Sequence, residues 1–194
     1  MGYAFFASVV ARLRADVGRA GPLSRAQRPS RRRAEEVIVP AEERVRELGI
    51  QIPMVARPAA GFDPAVRTGD LVFVSGNTPT VDGKLTGTGM VGDAISVEEA
   101  QDAARLATLN CLAAVRGLVG SLDAVERVVR VTGYVASTPD FTDQPKVING
   151  ASLVLQEIFG EAGRHARSAI GVAALPGGAS VEVELIVQLR ESTP

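Results

Sequence analysis

The stretch Ser180-Val-Glu-Val-Glu-Leu-Ile-Val-Gln-Leu-Arg190 decides the architecture. Val181, Val183, Leu185, Val187 and Leu189 share one face at a period of two, and Glu182, Glu184, Ile186, Gln188 and Arg190 share the other. That alternation predicts a strand with one face on a core and the other polar. Upstream of Pro176-Gly177-Gly178, Ala166–Leu175 reads as a second strand. Val125–Ala136, rich in Val, reads as a third. Between these last two, Thr142 or Asp143 is placed to cap a helix that tolerates Pro145 in its first turn and runs to about Phe159.

Further outward, Ser96-Val-Glu-Glu99 spells a capping box. The helix it opens runs to about Val119 with Gly120 as its stop, and its Ala and Leu content predicts burial on more than one side. Leu71–Ser75 reads as a buried strand after the turn Thr68-Gly69-Asp70, and Met54–Ala60 as strand-like. Val81–Gly92 reads as loop with a tight turn at Asp82-Gly83, and Ala41–Gly49 as a short amphipathic helix. The order β-β-α-β-α-β-β predicts an α+β domain of about 140 residues, with two helices on one face of a sheet.

Composition narrows the chemistry. The net charge of −1 hides a split: residues 1–34 hold eight Arg against one Asp, and the remainder 13 Lys and Arg against 21 Asp and Glu. A basic arm of +7 therefore precedes an acidic body of −8. Residues 1–40 are expected to be a basic, disordered N-terminal extension, and residues 41–194 the folded domain. An organelle presequence is the rival reading of the arm. One cysteine, Cys111, excludes an intramolecular disulfide framework, and one histidine, His165, excludes a multi-imidazole metal site. No metal or other cofactor is expected. No apolar run reaches the roughly 18 residues needed to cross a membrane, so a cytoplasmic protein is expected.

Familiar motifs carry little. Gly87-Thr-Gly-Met-Val-Gly92 spells GxGxxG but neither follows a strand nor opens a helix at the right place, so it reads as a loop. His165 sits in a Gly-Arg-His-Ala turn without a nucleophile elbow, and reads as a partly exposed loop histidine. Cys111, amid Leu109, Leu112 and Ala113, reads as an inert core thiol. The unusual features are charges on strands. Arg167 lies among small residues, with Ala169, Gly171 and Ala173 on its face, and Glu182 lies between buried positions. A solvent-facing strand or a structural ion pair would account for both. The functional reading is a guanidinium fork for a carboxylate, with a carboxylate that activates water.

Gly69-Asp-Leu-Val-Phe-Val-Ser-Gly76, Thr132–Phe141, Ala166-Arg-Ser168 and Leu175-Pro followed by Val181-Glu-Val-Glu184 resemble the RidA/YjgF family, also called endoribonuclease L-PSP. The resemblance spans roughly residues 50–190, and Gly163-Arg-His-Ala-Arg-Ser168 points to a divergent subgroup. It implies a chorismate-mutase-like fold, a homotrimer with ligand pockets between subunits, and hydrolysis of reactive 2-imino acids to 2-keto acids and ammonia. By the same resemblance Arg167 clamps the substrate carboxylate, Glu182 activates water, and Phe62, Ser75, Gly76, Asn77 and Asn149 line the pocket. Phe62 stands where the family often has Tyr, Asn77 where Gln is frequent, and Ala169 where Cys is common. A small-carboxylate sensor is the alternative. RNA cleavage is disfavoured by the acidic body, which shows neither a basic stripe nor an aromatic stacking platform.

One geometric consequence is open at this level. If the last two strands formed a hairpin about Gly177-Gly178, Arg167 would face Gln188, and Glu182 would lie some ~20 Å away at ~3.3 Å per residue. Either these strands are not neighbours, or the pocket joins different subunits.

Overall fold

The computed structural model describes residues 39–54 and 61–191. Residues 1–38 of the expected 1–40 extension lie outside them, as do 55–60, which hold most of the expected strand Met54–Ala60; Met54 itself is not in a strand. The helices are α1 (Ala41–Glu47), α2 (Val97–Val119), α3 (Gln144–Val147) and α4 (Asn149–Phe159). The strands are β1 (Ala65–Thr68), β2 (Leu71–Asn77), β3 (Thr80–Val81), β4 (Lys84–Leu85), β5 (Val125–Ala136), β6 (Ala166–Val172) and β7 (Val181–Leu189).

A five-stranded sheet has the order β1-β2-β7-β5-β6. β5 and β6 are parallel, and the other three pairings are antiparallel. β7 thus lies between β2 and β5, and β6 takes the edge, so the last two strands are not a hairpin. The burial patterns explain the placement. Every second residue of β7 is buried, which suits a strand flanked on both sides. β6 has no fully buried residue, which suits an edge. The parallel β5–β6 pair requires a crossover, and α3 and α4 supply it.

All of the long helices lie on one face. The α2 capping box forms as expected: Ser96 Oγ accepts the Glu99 N–H at 3.2 Å, and Glu99 Oε2 accepts the Ser96 N–H at 2.9 Å. Ala100, Ala103, Ala104, Ala107 and Ala114 are buried, which lets α2 lie close to both the sheet and α4. At Gly150 a Cβ would overlap the backbone carbonyl of Gln101, so the α2–α4 approach needs a glycine there. Leu112, Val115, Val131, Leu155, Ile158, Leu185 and Val187 fill the space between. α1 is tied on by Glu42, whose carboxylate accepts Arg116 Nη2 at 2.7 Å and the Leu122 N–H at 2.9 Å.

Several boundaries differ from the sequence reading. β1, four residues before the Gly69-Asp70 turn, was read as part of no strand; its burial pattern, one buried residue and three exposed, leaves no alternation to detect. Val81–Gly92 contains part of the small β3–β4 hairpin around Asp82-Gly83. The second helix is broken at Ile148 into α3 and α4. Asp143 stands at its N-terminus without a capping bond and pairs instead with Lys146 at 2.7 Å. β6 ends at Val172, short of Leu175. The GxGxxG segment opens no helix and is pinned to neighbouring backbone, with Gly89 N–H on Gly178 O at 3.0 Å and Val91 N–H on Ala136 O at 2.8 Å.

Candidate functional site

The sequence-predicted residues fall into two groups, one around β2 and β7 and the other at the β6 edge of the sheet. The first is built on β2. Val72 and Val74 pair with Val187 and Leu185, but Asn77 pairs with Val183, so one extra residue is inserted between Val74 and Asn77. Such a bulge re-aims side chains and is frequent beside active sites. Here it exposes Gly76 and leaves Ser75 and Asn77 half-buried. Ser75 Oγ donates to Asp63 O at 2.8 Å, and Asn77 Nδ2 donates to Ser75 O at 2.8 Å, which holds the irregular backbone. From α2, Asn110 Nδ2 donates to Thr78 O at 2.9 Å and Thr80 O at 3.1 Å, fixing the chain just beyond. Phe62, Ser75, Gly76 and Asn77 line a cavity of about 940 Å³, together with Leu106 and Asn110 of α2.

Glu182 belongs beside this group, on the sheet face away from the helices. A Cβ at Gly76 would overlap the Glu182 carboxylate, so the glycine lets the acid lie against the β2 backbone. Burial raises the Glu182 carboxyl above its ordinary range, and the charge of Glu184 adds to the effect. Glu184 in turn accepts the Tyr134 hydroxyl at 3.3 Å. Tyr134 and Glu184 are polar neighbours of Glu182 that the sequence reading did not single out; the period-two pattern of β7 puts Glu184 on the Glu182 face.

The second group is built on β6 and α4. Arg167 Nη1 donates to Asn149 Oδ1 at 2.9 Å and to Ser152 Oγ at 3.0 Å, and Nη2 donates to Pro145 O at 3.3 Å. Asn149 and Ser152 are three apart on α4 and so project from one side of it. Ser152 also meets His165 Nε2 at 3.0 Å, and His165 Nδ1 meets Gly163 O at 2.7 Å. Ser152 was absent from the sequence reading; its spacing from Asn149 was the available signal. Among the described residues, no carboxylate lies within ion-pair distance of Arg167.

The two groups do not meet within one chain. Val131 of β5 pairs with Arg167 on one side and Leu185 on the other, so Arg167 and Leu185 share the helix-covered face. Glu182 pairs with Tyr134, three residues along β5, and points to the opposite face. Two strand spacings of ~4.8 Å and three residues of ~3.3 Å put about 10 Å across and about 10 Å along between their backbones. Arg167 and Asn149 come together; Phe62, Ser75, Gly76 and Asn77 line one cavity, and Glu182 meets Gly76 from the face away from the helices without lining that cavity. Arg167 and Glu182 do not come together. Cys111 is buried, with Sγ on Val183 O at 3.1 Å and its thiol pushed up by burial, which agrees with an inert core position.

Residues 42–189 match the model of the family described as "YjgF/chorismate_mutase-like, putative endoribonuclease". The chain belongs to the RidA/YjgF family. Protein TCP17 of Trypanosoma cruzi is 43% identical over 147 residues, which are 75% of this chain and 92% of that protein. A RutC family protein of Sinorhizobium fredii is 31% identical over 128 residues, covering 66% of this chain and 86% of its own. The crystal structure of a protein of unknown function from Agrobacterium tumefaciens superposes with a TM-score of 0.72 at 44% identity, over 77% of this chain and 92% of that one. The chorismate-mutase-like α+β fold expected of a RidA/YjgF protein is the fold observed. Among the described residues no helix is long and apolar enough to cross a membrane.

Proposed function

We propose that this RidA/YjgF protein hydrolyses reactive 2-imino acids to 2-keto acids and ammonia in the cytoplasm, in pockets that join two subunits of a homotrimer. The observation that carries the reading is Arg167. Its guanidinium is held by three neutral acceptors, Asn149, Ser152 and the Pro145 carbonyl, so it is positioned without being neutralised. A fork prepared in that way fits a carboxylate bidentately. The separation of Arg167 from Glu182 supports a shared pocket, because the β6 edge of one subunit can supply the arginine where the uncovered face of its neighbour's β7 supplies the acid. The exposed apolar residues Val66, Phe73 and Ile170 along the uncovered sheet support association through that face.

The chemistry asks for little machinery. Glu182 takes a proton from water as the oxygen attacks the imine carbon. That proton is returned to the imine nitrogen, giving a neutral carbinolamine; Glu182 then takes the hydroxyl proton and delivers it to the amine as the C–N bond breaks, so the ketone forms and ammonia leaves. Positioning and one general base suffice. A carboxyl raised by burial is a stronger base once ionised, which suits the task. Phe62 lines the cavity without a hydroxyl, and in this reading the water is oriented by Glu182 and the Gly76 backbone against which it lies.

The test mixes the purified protein with a pyridoxal-phosphate dehydratase that releases 2-iminopropanoate or 2-iminobutanoate, and follows loss of free imine with a scavenger. Acceleration that falls about 10²-fold or more in Glu182→Gln and in Arg167→Ala is expected. Binding of 2-ketobutyrate without acceleration would instead make this a small-carboxylate sensor. Arg167→Ala changing neither binding nor rate would overturn the site.

A further inference from the structure

From Arg167 the donations run in a single direction, through Ser152 to His165 and from His165 to the Gly163 carbonyl. The Gly163 carbonyl can only accept, so His165 Nδ1, at 2.7 Å from it, carries the hydrogen. In the neutral ring Nε2 is then bare and accepts the Ser152 hydroxyl proton across 3.0 Å. That donation turns the lone pairs of Ser152 Oγ toward Arg167 Nη1, also at 3.0 Å. From these contacts we infer that His165 is a positioning residue for Arg167, acting through Ser152: the neutral ring aligns the guanidinium for an anionic substrate, and protonation loosens it. The inference rests on the reading of Arg167 as the carboxylate clamp.

Protonation would put a hydrogen on Nε2, and two cationic donors would then converge on one hydroxyl oxygen while the hydroxyl proton lost its acceptor. On balance the ring's surroundings favour the neutral form, and the charged groups of the neighbouring elements are engaged elsewhere. Burial lowers the proton affinity of His165 most, Arg167 on β6 lowers it further, and the bond to the Gly163 carbonyl works the other way. On the turn after α4, Glu161 is engaged with Arg164 at 3.6 Å. On α4, Glu157 is engaged with Arg105 at 2.8 Å. On β5, Arg130 reaches the next residue of β6, Ser168, at 3.4 Å.

The experiment follows 2-ketobutyrate affinity between pH 8 and pH 5, a range in which the ligand carboxylate stays ionised, alongside side-chain ¹⁵N signals of Arg167 and His165 in the ligand-free protein. In the wild type the affinity should fall on the order of tenfold as His165 protonates below the ordinary histidine range. The Arg167 signals should move at the same midpoint. His165→Gln keeps an acceptor for the Ser152 proton without titrating, and should bind as the wild type does at pH 8 with a flat profile below. Ser152→Ala should be weaker at pH 8 and equally flat. Arg167 signals indifferent to the His165 titration, or a fall in affinity that persists in His165→Gln, would overturn the inference. If 2-ketobutyrate fails to bind at pH 8 while the Arg167 signals still follow His165, the coupling stands and the deaminase reading falls.

Discussion

The two faces of the sheet are made from the same strands and obey different rules. On the covered face, β7 presents Val181, Val183, Leu185, Val187 and Leu189, all buried against the helices. On the uncovered face the same nine residues present Glu182, Glu184, Ile186 and Gln188, all half-buried. The first face is close-packed, and α2 contributes alanines because larger side chains would not fit. The second carries an acid whose charge is disfavoured by its surroundings, beside exposed Phe73 and Ile170. Stability is concentrated on one side of a strand, and unsatisfied chemistry on the other.

That contrast can be broken at graded cost. Leu112→Ala removes a fully buried side chain from the covered face and should cost about 2–5 kcal/mol in denaturant unfolding. A smaller loss would mean that the core collapses around the gap. Gly150→Ala pushes a methyl group into the Gln101 carbonyl and should cost about 1–3 kcal/mol, with the α2–α4 spacing increased. On the uncovered face Phe73→Asp should leave the fold's circular dichroism unchanged and shift sedimentation from the proposed trimer to monomer. An unchanged trimer would show that this face is not the contact. The smallest effect belongs to Glu182→Gln. The fold prefers this carboxyl protonated, so its stabilising contribution is present at acid pH and lost as pH rises through the raised value. The variant should therefore unfold at a slightly higher temperature than the wild type at pH 7, with the difference vanishing toward pH 4. No widening between those pH values would contradict the electrostatic account.

Much of this was legible locally. The alternation in β7, the Ser96–Glu99 box and the β5 span Val125–Ala136 are each written in a dozen residues or fewer, and each forms as read. β1 and the break at Ile148 were not, because four residues with one buried position carry no period and because Gly133 opposite Ile148 is set only by sheet pairing. At the site, Arg167 and Glu182 could be picked out as charges on apolar strands. Ser152 and His165 could not be joined to Arg167, because their contacts depend on how α4 lies over β6.

By itself, the sequence determined which residues of each strand share a face, where α2 begins and ends, and which charges stand among small or apolar neighbours. Those are consequences of backbone periods of 2 and 3.6 and of capping, all local. Only the tertiary structure decided that β7 enters between β2 and β5 and leaves β6 at the edge. Strand order follows from which apolar faces pack best over the whole chain, and side-chain period says nothing about it. That one decision turned two charges 15 residues apart in sequence onto opposite faces of the sheet, and with it the proposed site from something one chain could hold into two halves.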